Sequence, residues 1–312
     1  MKKPVVYIDG KEGTTGLQIY DRLAKREDLQ LLLIDEDKRK DPAERKKLMD
    51  AADIVFLCLP DAAAIEAVSL VESETTRIID ASTAHRTNPA WAYGFPELSA
   101  DHRAAIAASK RVANPGCHAS GFVSIVYPLV SMGILPADTA LSCFSLTGYS
   151  GGGKKMIADY ESDAKTENMA SPGIYATAQA HKHLPEMQTI CGLTVKPVFC
   201  PIVDDYYKGM ATTVTFHMSQ LQGVSTVQEV RDKLAAHYAG QKMVTVAEGT
   251  ASGSLYGGTM AGQDTMVLTV AGNDERFTIT ALFDNLGKGA SGAAVQNMNI
   301  MLGLDETTSL SV

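Results

Sequence analysis

The opening stretch of the chain constrains the rest most tightly. Val5-Val6-Tyr7-Ile8-Asp9 is a short apolar strand run, and Gly10-Lys11-Glu12-Gly13-Thr14-Thr15-Gly16 follows it directly. Leu17, Ile19, Tyr20 and Leu23 then recur at helical spacing. Strand, glycine-rich turn and amphipathic helix make the βα unit in which backbone N–H groups and a helix N-terminus meet a pyrophosphate. The spacing here is G-x-x-G-x-x-G, and a tight βα turn without a ligand is the competing reading. A second strand, Leu29 to Ile34, ends at Asp35, where an acid meets the ribose 2′-hydroxyl of a dinucleotide. Lys38, Arg39 and Lys40 follow at once. They suit a 2′-phosphate, or a solvated charged loop, so the residues alone leave NAD and NADP open.

The same rhythm continues. Asp41 to Ala51 reads as a charged helix, Asp53 to Pro60 as a buried strand, Asp61 to Val71 as a helix and Arg77 to Asp80 as a strand. Continuous apolar strands separated by helices predict a parallel sheet covered on both faces. Ligands on such sheets lie beyond the carboxyl ends of the strands. Asp80-Ala81-Ser82-Thr83-Ala84-His85-Arg86 sits at one of these ends, where His85 and Arg86 either touch a phosphate or form a solvent-facing loop. Trp91 to Leu98 is irregular and rich in turn residues.

The second half has a different texture. Asn114-Pro115-Gly116-Cys117-His118-Ala119-Ser120-Gly121 runs into the apolar stretch Phe122 to Leu129, which predicts a helix with Asn114 or Cys117 near its first turn. A thiol there meets unpaired N–H groups and the positive end of the helix dipole, which favour the nucleophilic thiolate. Taken alone, Cys117 reads better as a small buried hydrophobe, and the rest of the sequence reverses that preference. Ala140 to Thr147 alternates as a strand. Gly148 to Lys155 reads as a flexible basic loop whose place after a strand suggests anion binding. In Ala180-His181-Lys182-His183-Leu184-Pro185-Glu186-Met187, Pro185 and Glu186 suit the first turn of a helix. No third ligand is spaced to make the two histidines a zinc site. One of them fits general acid/base work instead, and spacing does not say which. Thr194 to Pro201 and Gly209 to Met218 read as strands and Val224 to Tyr238 as a helix. Met266 to Ala271 and Arg276 to Phe283 read as a strand pair turned at Gly272-Asn273-Asp274. Asp284 to Ala294 opens a last helix, Ala293 to Leu304. Such hairpin-like pairing after a parallel half predicts an α+β second domain.

A chain of 312 residues has room for two domains. The expected division is a dinucleotide-binding domain over residues 1–116, completed by a C-terminal helix over 287–312, and an α+β second domain over 117–286; the resemblance set out below makes the first a Rossmann NADP-binding domain and the second the catalytic, substrate and oligomerisation domain. The formal net charge of −8 argues against a general nucleic-acid binder. No apolar run is long enough to span a bilayer, and Met1-Lys2-Lys3-Pro4 does not open a signal sequence. Five cysteines, an odd number without C-x-x-C, suggest neither a disulfide framework nor a zinc knuckle and fit a reducing cytoplasm. The expected partner is a small molecule, which the resemblance set out below makes an acyl phosphate, with neither nucleic acid nor membrane. The alternating sheet offers an apolar face to a second copy, in a homodimer or homotetramer.

Several segments together resemble one family, the short form of N-acetyl-gamma-glutamyl-phosphate reductase. They are Gly10 to Gly16, Asp80 to Arg86, Tyr93 to Leu98, Asn114-Pro115-Gly116-Cys117, Thr147 to Lys155, His181 to Glu186 and Asp284 to Asn299, in the expected order over nearly the whole chain. The resemblance implies a Rossmann domain joined to a catalytic domain of the aspartate-semialdehyde and glyceraldehyde-phosphate dehydrogenase type. It implies NADPH-dependent reduction of N-acetyl-L-glutamyl 5-phosphate to the 5-semialdehyde, with release of phosphate, in arginine biosynthesis. Cys117 carries over as the nucleophile and His181 or His183 as acid/base. Gly10, Gly13, Thr14, Thr15, Gly16, Lys38, Arg39, Ser82, Gly151 and Asn285 form the expected NADP(H) set. Arg86, Ser150, Lys154, Lys155 and Lys208 form the expected substrate and phosphate set, and no metal is expected. Lys11 and Glu12 depart from the small residues usual at their positions. The competing readings are an aspartate-semialdehyde or lysine-pathway acyl-phosphate reductase, and an inactive NADP-sensing regulator.

Overall fold

The structure, a computed structural model, describes residues 3–312. Met1 and Lys2, the head of the stretch read for a signal sequence, lie outside the described residues. The chain divides into two units, one running to Pro115 and taking in Ala290–Leu310, the other formed by Gly116–Gly289 with Ser311–Val312.

The first unit is built from β1 (Val5–Asp9), α1 (Thr14–Leu23), β2 (Gln30–Leu32), α2 (Pro42–Ala51), β3 (Ile54–Leu57), α3 (Asp61–Leu70), β4 (Arg77–Asp80), β5 (Ala92–Tyr93), α4 (Ala100–Ala108) and β6 (Arg111–Ala113). Its sheet has the order β2-β1-β3-β4-β6-β5, and every neighbouring pair is parallel. Strand side chains alternate between two cores, which is why these strands read as continuous apolar runs. Val6, Ile8, Ile54, Phe56 and Ile79 pack with Ile19 and Leu23 of α1 and with Val295 and Met298 of the last helix. Val5, Tyr7, Val55, Leu57 and Ile78 pack with Met49 of α2 and with Ala64 and Ala67 of α3. The strand predicted over Leu29 to Ile34 is shorter, because at the sheet edge Leu33 turns outward and is exposed. Helix α4 lay outside the sequence reading, and the signal for it was Ser99, whose hydroxyl accepts the His102 N–H and caps the first turn.

The second unit comprises α5 (Cys117–Ser131), β7 (Ser142–Gly148), α6 (Gly153–Glu161), β8 (Gly173–Ile174), α7 (Leu184–Ile190), β9 (Val198–Asp204), β10 (Met210–His217), α8 (Val227–His237), β11 (Val244–Val246), β12 (Met266–Gly272) and β13 (Arg276–Phe283). The last helix, α9 (Gly292–Met301), belongs to the first unit. The second sheet is mixed, in the order β11-β12-β13-β10-β7-β9-β8. The β12, β13, β10 and β7 neighbours are antiparallel, whereas β7 and β9 run parallel. Helix α5 lies on the inner face, where Gly121 leaves room for the sheet. A Cβ at that position would stand 2.5 Å from the Thr212 side chain of β10. The Tyr238 hydroxyl, just after α8, donates to the Ser124 carbonyl of α5 at 2.7 Å. A capping box of Thr226 and Glu229 starts α8 after the predicted Val224.

The predicted flexible loop at Gly148 to Lys155 is not one. Tyr149–Gly152 forms a 3₁₀ turn and α6 begins at Gly153, with Lys154 and Lys155 exposed on its first turn. Tyr149 stacks on Tyr160 at 4.7 Å between ring centres, and this closes the turn onto the helix. Among the described residues no helix is long and apolar enough to cross a membrane.

Candidate active site

Cys117 is the first residue of α5. Gly116 is its N-cap in extended geometry, and the first turn carries no acidic residue. The Gly116 N–H donates to the buried Glu186 carboxylate of α7 at 2.9 Å, which ties the two helix starts together. Cys117 is half-buried. A Cβ at Gly289 would lie 3.1 Å from the Cys117 Cβ, so the glycine lets the chain pass close to the cysteine. Other cysteines have a different setting. Burial, with Asp80 and Asp9 nearby, pushes the Cys58 thiol up to about 12, and burial also raises the Cys143 and Cys191 thiols. These three are kept as thiols.

Both histidines of the H-x-H pair stand beside a third that the sequence reading did not single out. His118 lies 5.6 Å from His181 and 5.7 Å from His183, ring centre to ring centre, and His181 and His183 are 4.7 Å apart. The His118 Nε2 is 2.6 Å from the Tyr175 hydroxyl, and its Nδ1 is 2.7 Å from Ser145 Oγ. Ser145 Oγ is in turn 2.7 Å from Thr212 Oγ1. Burial, then the nearby His181, lowers the His118 pKa to about 3. Burial, then Lys182, lowers His181 to about 4. Burial raises the Tyr175 phenol, and the nearby Cys117 raises it further. The sequence signal for His118 was its place next to Cys117 in an otherwise apolar helix.

Of the residues expected to meet substrate, Ser150, Lys154, Lys155 and Lys208 lie in this unit and Arg86 lies in the other. Asn285 is buried; its Oδ1 accepts the Gly209 N–H at 2.8 Å and its Nδ2 donates to Ser150 Oγ at 3.0 Å. Ser150 and Asn285, expected in different sets, are therefore hydrogen-bonded partners, with exposed Gly151 beside them. The Lys208 ammonium is 3.6 Å from the buried Asp284 carboxylate, which already compensates part of its charge. Lys154 and Lys155 remain exposed on α6.

In the first unit, the glycine-rich turn follows β1, where the strand order reverses between β1 and β3. Gly10 has φ +84°, and a Cβ there or at Gly16 would run into backbone of the turn itself or of Cys58. At Gly13 the nearest atoms to a Cβ lie 3.4 and 3.6 Å away, so the protein's own packing does not demand glycine there. Helix α1 starts at Thr14 with no side-chain cap and no acid in its first turn. Thr14 Oγ1 is buried without a hydrogen-bond partner among the described residues, and Thr15 is half-buried beside it. An open glycine, an unsatisfied hydroxyl and a free helix N-terminus fit a pyrophosphate. Beside the turn lies a cavity of about 550 Å³ bordered by Glu12, Tyr20, Leu32, Arg39 and Lys40. Glu12 is exposed, and the Lys11 ammonium sits 4.0 Å over the Tyr20 ring, so these two departures leave the turn in shape. Lys38, expected on the cofactor, is instead paired with Asp35 at 3.3 Å and is absent from the cavity wall; Arg39 and Lys40 are on it.

The loop after β4 is buried, not solvent-facing. His85 Nδ1 is 2.6 Å from the Asp80 carboxylate, and its ring stacks on Trp91 at 4.1 Å. Ser82 donates to the same carboxylate at 2.7 Å. Arg86 donates from Nε to the Asn114 carbonyl at 2.9 Å and from Nη2 to the Ala81 carbonyl at 3.1 Å. The amides near the chain end serve the same region. Asn297 donates to the Gly94 carbonyl and to Asn114 Oδ1, while Gln296 donates to the buried Glu97. The Q-N-M-N segment is therefore a clamp on the turn that leads toward Cys117.

A parallel dinucleotide-type unit followed by a mixed-sheet unit with a helix-start cysteine defines an oxidoreductase of the semialdehyde dehydrogenase class. Residues 6–106 match the family described as "Semialdehyde dehydrogenase, NAD binding domain", and residues 117–285 match "Semialdehyde dehydrogenase, dimerisation domain". The chain belongs to the N-acetyl-gamma-glutamyl-phosphate reductase family. It is 44% identical to N-acetyl-gamma-glutamyl-phosphate reductase 2 of Nostoc sp. strain PCC 7120 over 99% of this chain and 100% of that one. It is 47% identical to the N-acetyl-gamma-glutamyl-phosphate reductase of Brucella anthropi over 96% of this chain and 99% of the relative. Among solved structures, aspartate semialdehyde dehydrogenase II of Vibrio cholerae superposes with a TM-score of 0.73 at 15% identity, covering 97% of this chain and 99% of that one. That of Francisella tularensis gives 0.72 at 14%, covering 96% and 100%. At such identities these two share the fold.

Proposed function

We propose that the chain reduces N-acetyl-L-glutamyl 5-phosphate to N-acetyl-L-glutamate 5-semialdehyde in arginine biosynthesis, releasing phosphate and using NADPH. The observation that carries this reading is Cys117 at the start of the 15-residue helix α5, in the same unit as a packed cluster of His118, His181, His183 and Tyr175. The helix start favours the thiolate. The Cys117 sulfur attacks the acyl carbon, the carbon–oxygen bond to phosphate breaks, and phosphate leaves with the electron pair. A thioester remains on the sulfur, and one hard step becomes two easier ones. Backbone N–H groups of the first turn of α5 face the oxyanion. NADPH, when bound, supplies the hydride that converts the thioester carbonyl into a thiohemiacetal oxygen. An imidazole N–H meets that oxygen, and collapse breaks the carbon–sulfur bond and returns the pair to Cys117. His181 takes this role ahead of His183, because it is half-exposed while His183 is buried. The proton consumed overall leaves on phosphate.

Gly10, Gly13, Thr14, Thr15 and Gly16 hold the pyrophosphate in this scheme, and Arg39 and Lys40 the 2′-phosphate. Ser150, Lys154, Lys155 and Lys208 meet the substrate phosphate, and Arg86, held by two backbone carbonyls, is left out of that set. The reducing cytoplasm suits the five free cysteines. The assay that tests the reading is phosphate-dependent oxidation of N-acetyl-glutamate semialdehyde with NADP, run beside NAD and beside aspartate semialdehyde. Cys117→Ser is expected to abolish turnover and leave NADPH binding, read by fluorescence, intact. Retention of most activity in that variant overturns the covalent route.

A further inference from the structure

Cys117 is followed in α5 by a residue that the proposed chemistry does not itself use. His118 is 2% exposed, yet both of its ring nitrogens are engaged, one by Tyr175 and one by Ser145. Its low pKa keeps the ring neutral at any working pH, so one nitrogen donates and the other accepts. The line Thr212–Ser145–His118–Tyr175 thus has two proton arrangements. In one, Tyr175 donates to Nε2 and Nδ1–H donates to Ser145. In the other, Thr212 donates to Ser145, Ser145 to Nδ1, and Nε2–H to the Tyr175 oxygen. The Tyr175 proton is then free for an acceptor in the site. The phenol is held in its protonated form by burial and by Cys117, so it offers a proton and no charge.

Tyr175 also opens the segment that carries both site histidines. Its N–H donates to the Pro201 carbonyl at 3.1 Å. Ala176 and Gln179 follow with φ of 50° and 56°, a left-handed backbone that few side chains adopt unless neighbours hold it. Gln179 is clasped to the main chain of Phe199 by both amide atoms, at 2.9 and 2.8 Å. The rings of His181 and Phe199 pack edge-on to His118 at 5.6 and 5.3 Å. The strained segment closes around the His118 ring.

We infer that His118 is a positioning residue that turns the Tyr175 hydroxyl proton toward the oxygen of the acyl group carried on Cys117. The inference rests on the thioester chemistry proposed above and adds a neutral hydrogen-bond donor to it. The test compares wild type with His118→Phe, Tyr175→Phe, the double variant, and His118→Gln, whose amide reaches toward Tyr175. Rates are expressed per Cys117 thiol titrated by iodoacetamide. Each single Phe variant is expected to lower kcat by about tenfold or more, a loss of at least about 1.4 kcal/mol, with KM for the acyl phosphate little changed. The double variant is expected to lose no more than the worse single, and His118→Gln to recover most of the rate. Ser145→Ala, which removes the donor behind Nδ1, is expected to lower kcat likewise and serves if His118→Phe does not fold. Lower thermal stability with wild-type kcat per titrated thiol overturns the inference and leaves the thioester reading standing. Multiplying losses in the double variant also overturn it. A wild-type protein that neither turns over the acyl phosphate nor shows a rapidly alkylated Cys117 overturns both.

Discussion

His181 shows how one side chain's surroundings set its chemistry. Burial and the adjacent Lys182 pull its pKa to about 4, well below the usual histidine value. The groups packed around it are His118, His183, Tyr175 and Phe199. An imidazole with that pKa is neutral above about pH 4 and loses its ability to accept a proton only below it. In the oxidative direction, with His181 as base, the acid limb of kcat/KM is expected near pH 4, not near 6.5. His181→Asn is expected to remove that limb and lower kcat/KM by about 10²–10⁴-fold. A limb near 6.5 in wild type would assign the base elsewhere. Cys117 itself could be picked out from its neighbours in sequence, since Pro-Gly before it and an apolar run after it announce a helix start. The role proposed for His118 could not, although its place beside Cys117 was a signal, because that role depends on Ser145, Tyr175 and Thr212, which the chain brings in from β7, the segment after β8, and β10.

Element by element, the glycine-rich turn separates what the fold needs from what a ligand needs. Gly10 and Gly16 are required by the backbone around them, and Gly13 is not. Gly16→Ala is expected to destabilise the protein by about 1–3 kcal/mol, as overpacking does. Gly13→Ala is expected to leave the melting temperature nearly unchanged while weakening NADPH binding, because its new methyl enters the space beside Thr14. Equal stability losses in the two variants would show that the turn itself has no room at Gly13. The predicted helices and strands of the first unit were legible because a two-faced parallel sheet writes itself as short apolar runs. The turn at Gly148 to Lys155 was misread as a loop because three consecutive glycines suggest freedom. The Tyr149–Tyr160 stack that orders it joins residues of two different elements.

On the scale of the molecule, the second sheet has an outer face with Phe144 and Val198 exposed at 43% and 54%, on the neighbouring strands β7 and β9. The match of this unit to a dimerisation domain and the apolar side chains on this face together support self-association through it. Phe144→Lys combined with Val198→Lys is expected to shift the sedimentation coefficient to that of a monomer, with helix content unchanged. An oligomer that survives both lysines places the interface on another surface.

Sequence periodicity determined the parallel sheet, the succession of its helices and the class of the fold, because burial on both faces leaves few ways to order apolar runs. Local chemistry placed a thiol at a helix start for the same kind of reason, since caps and glycines act within a few residues. Only the tertiary structure decided that Arg86 is buried against two carbonyls and that His118 stands neutral in a line of hydroxyls. Those outcomes depend on desolvation and on partners far away in the chain, and neither is written in the spacing of residues.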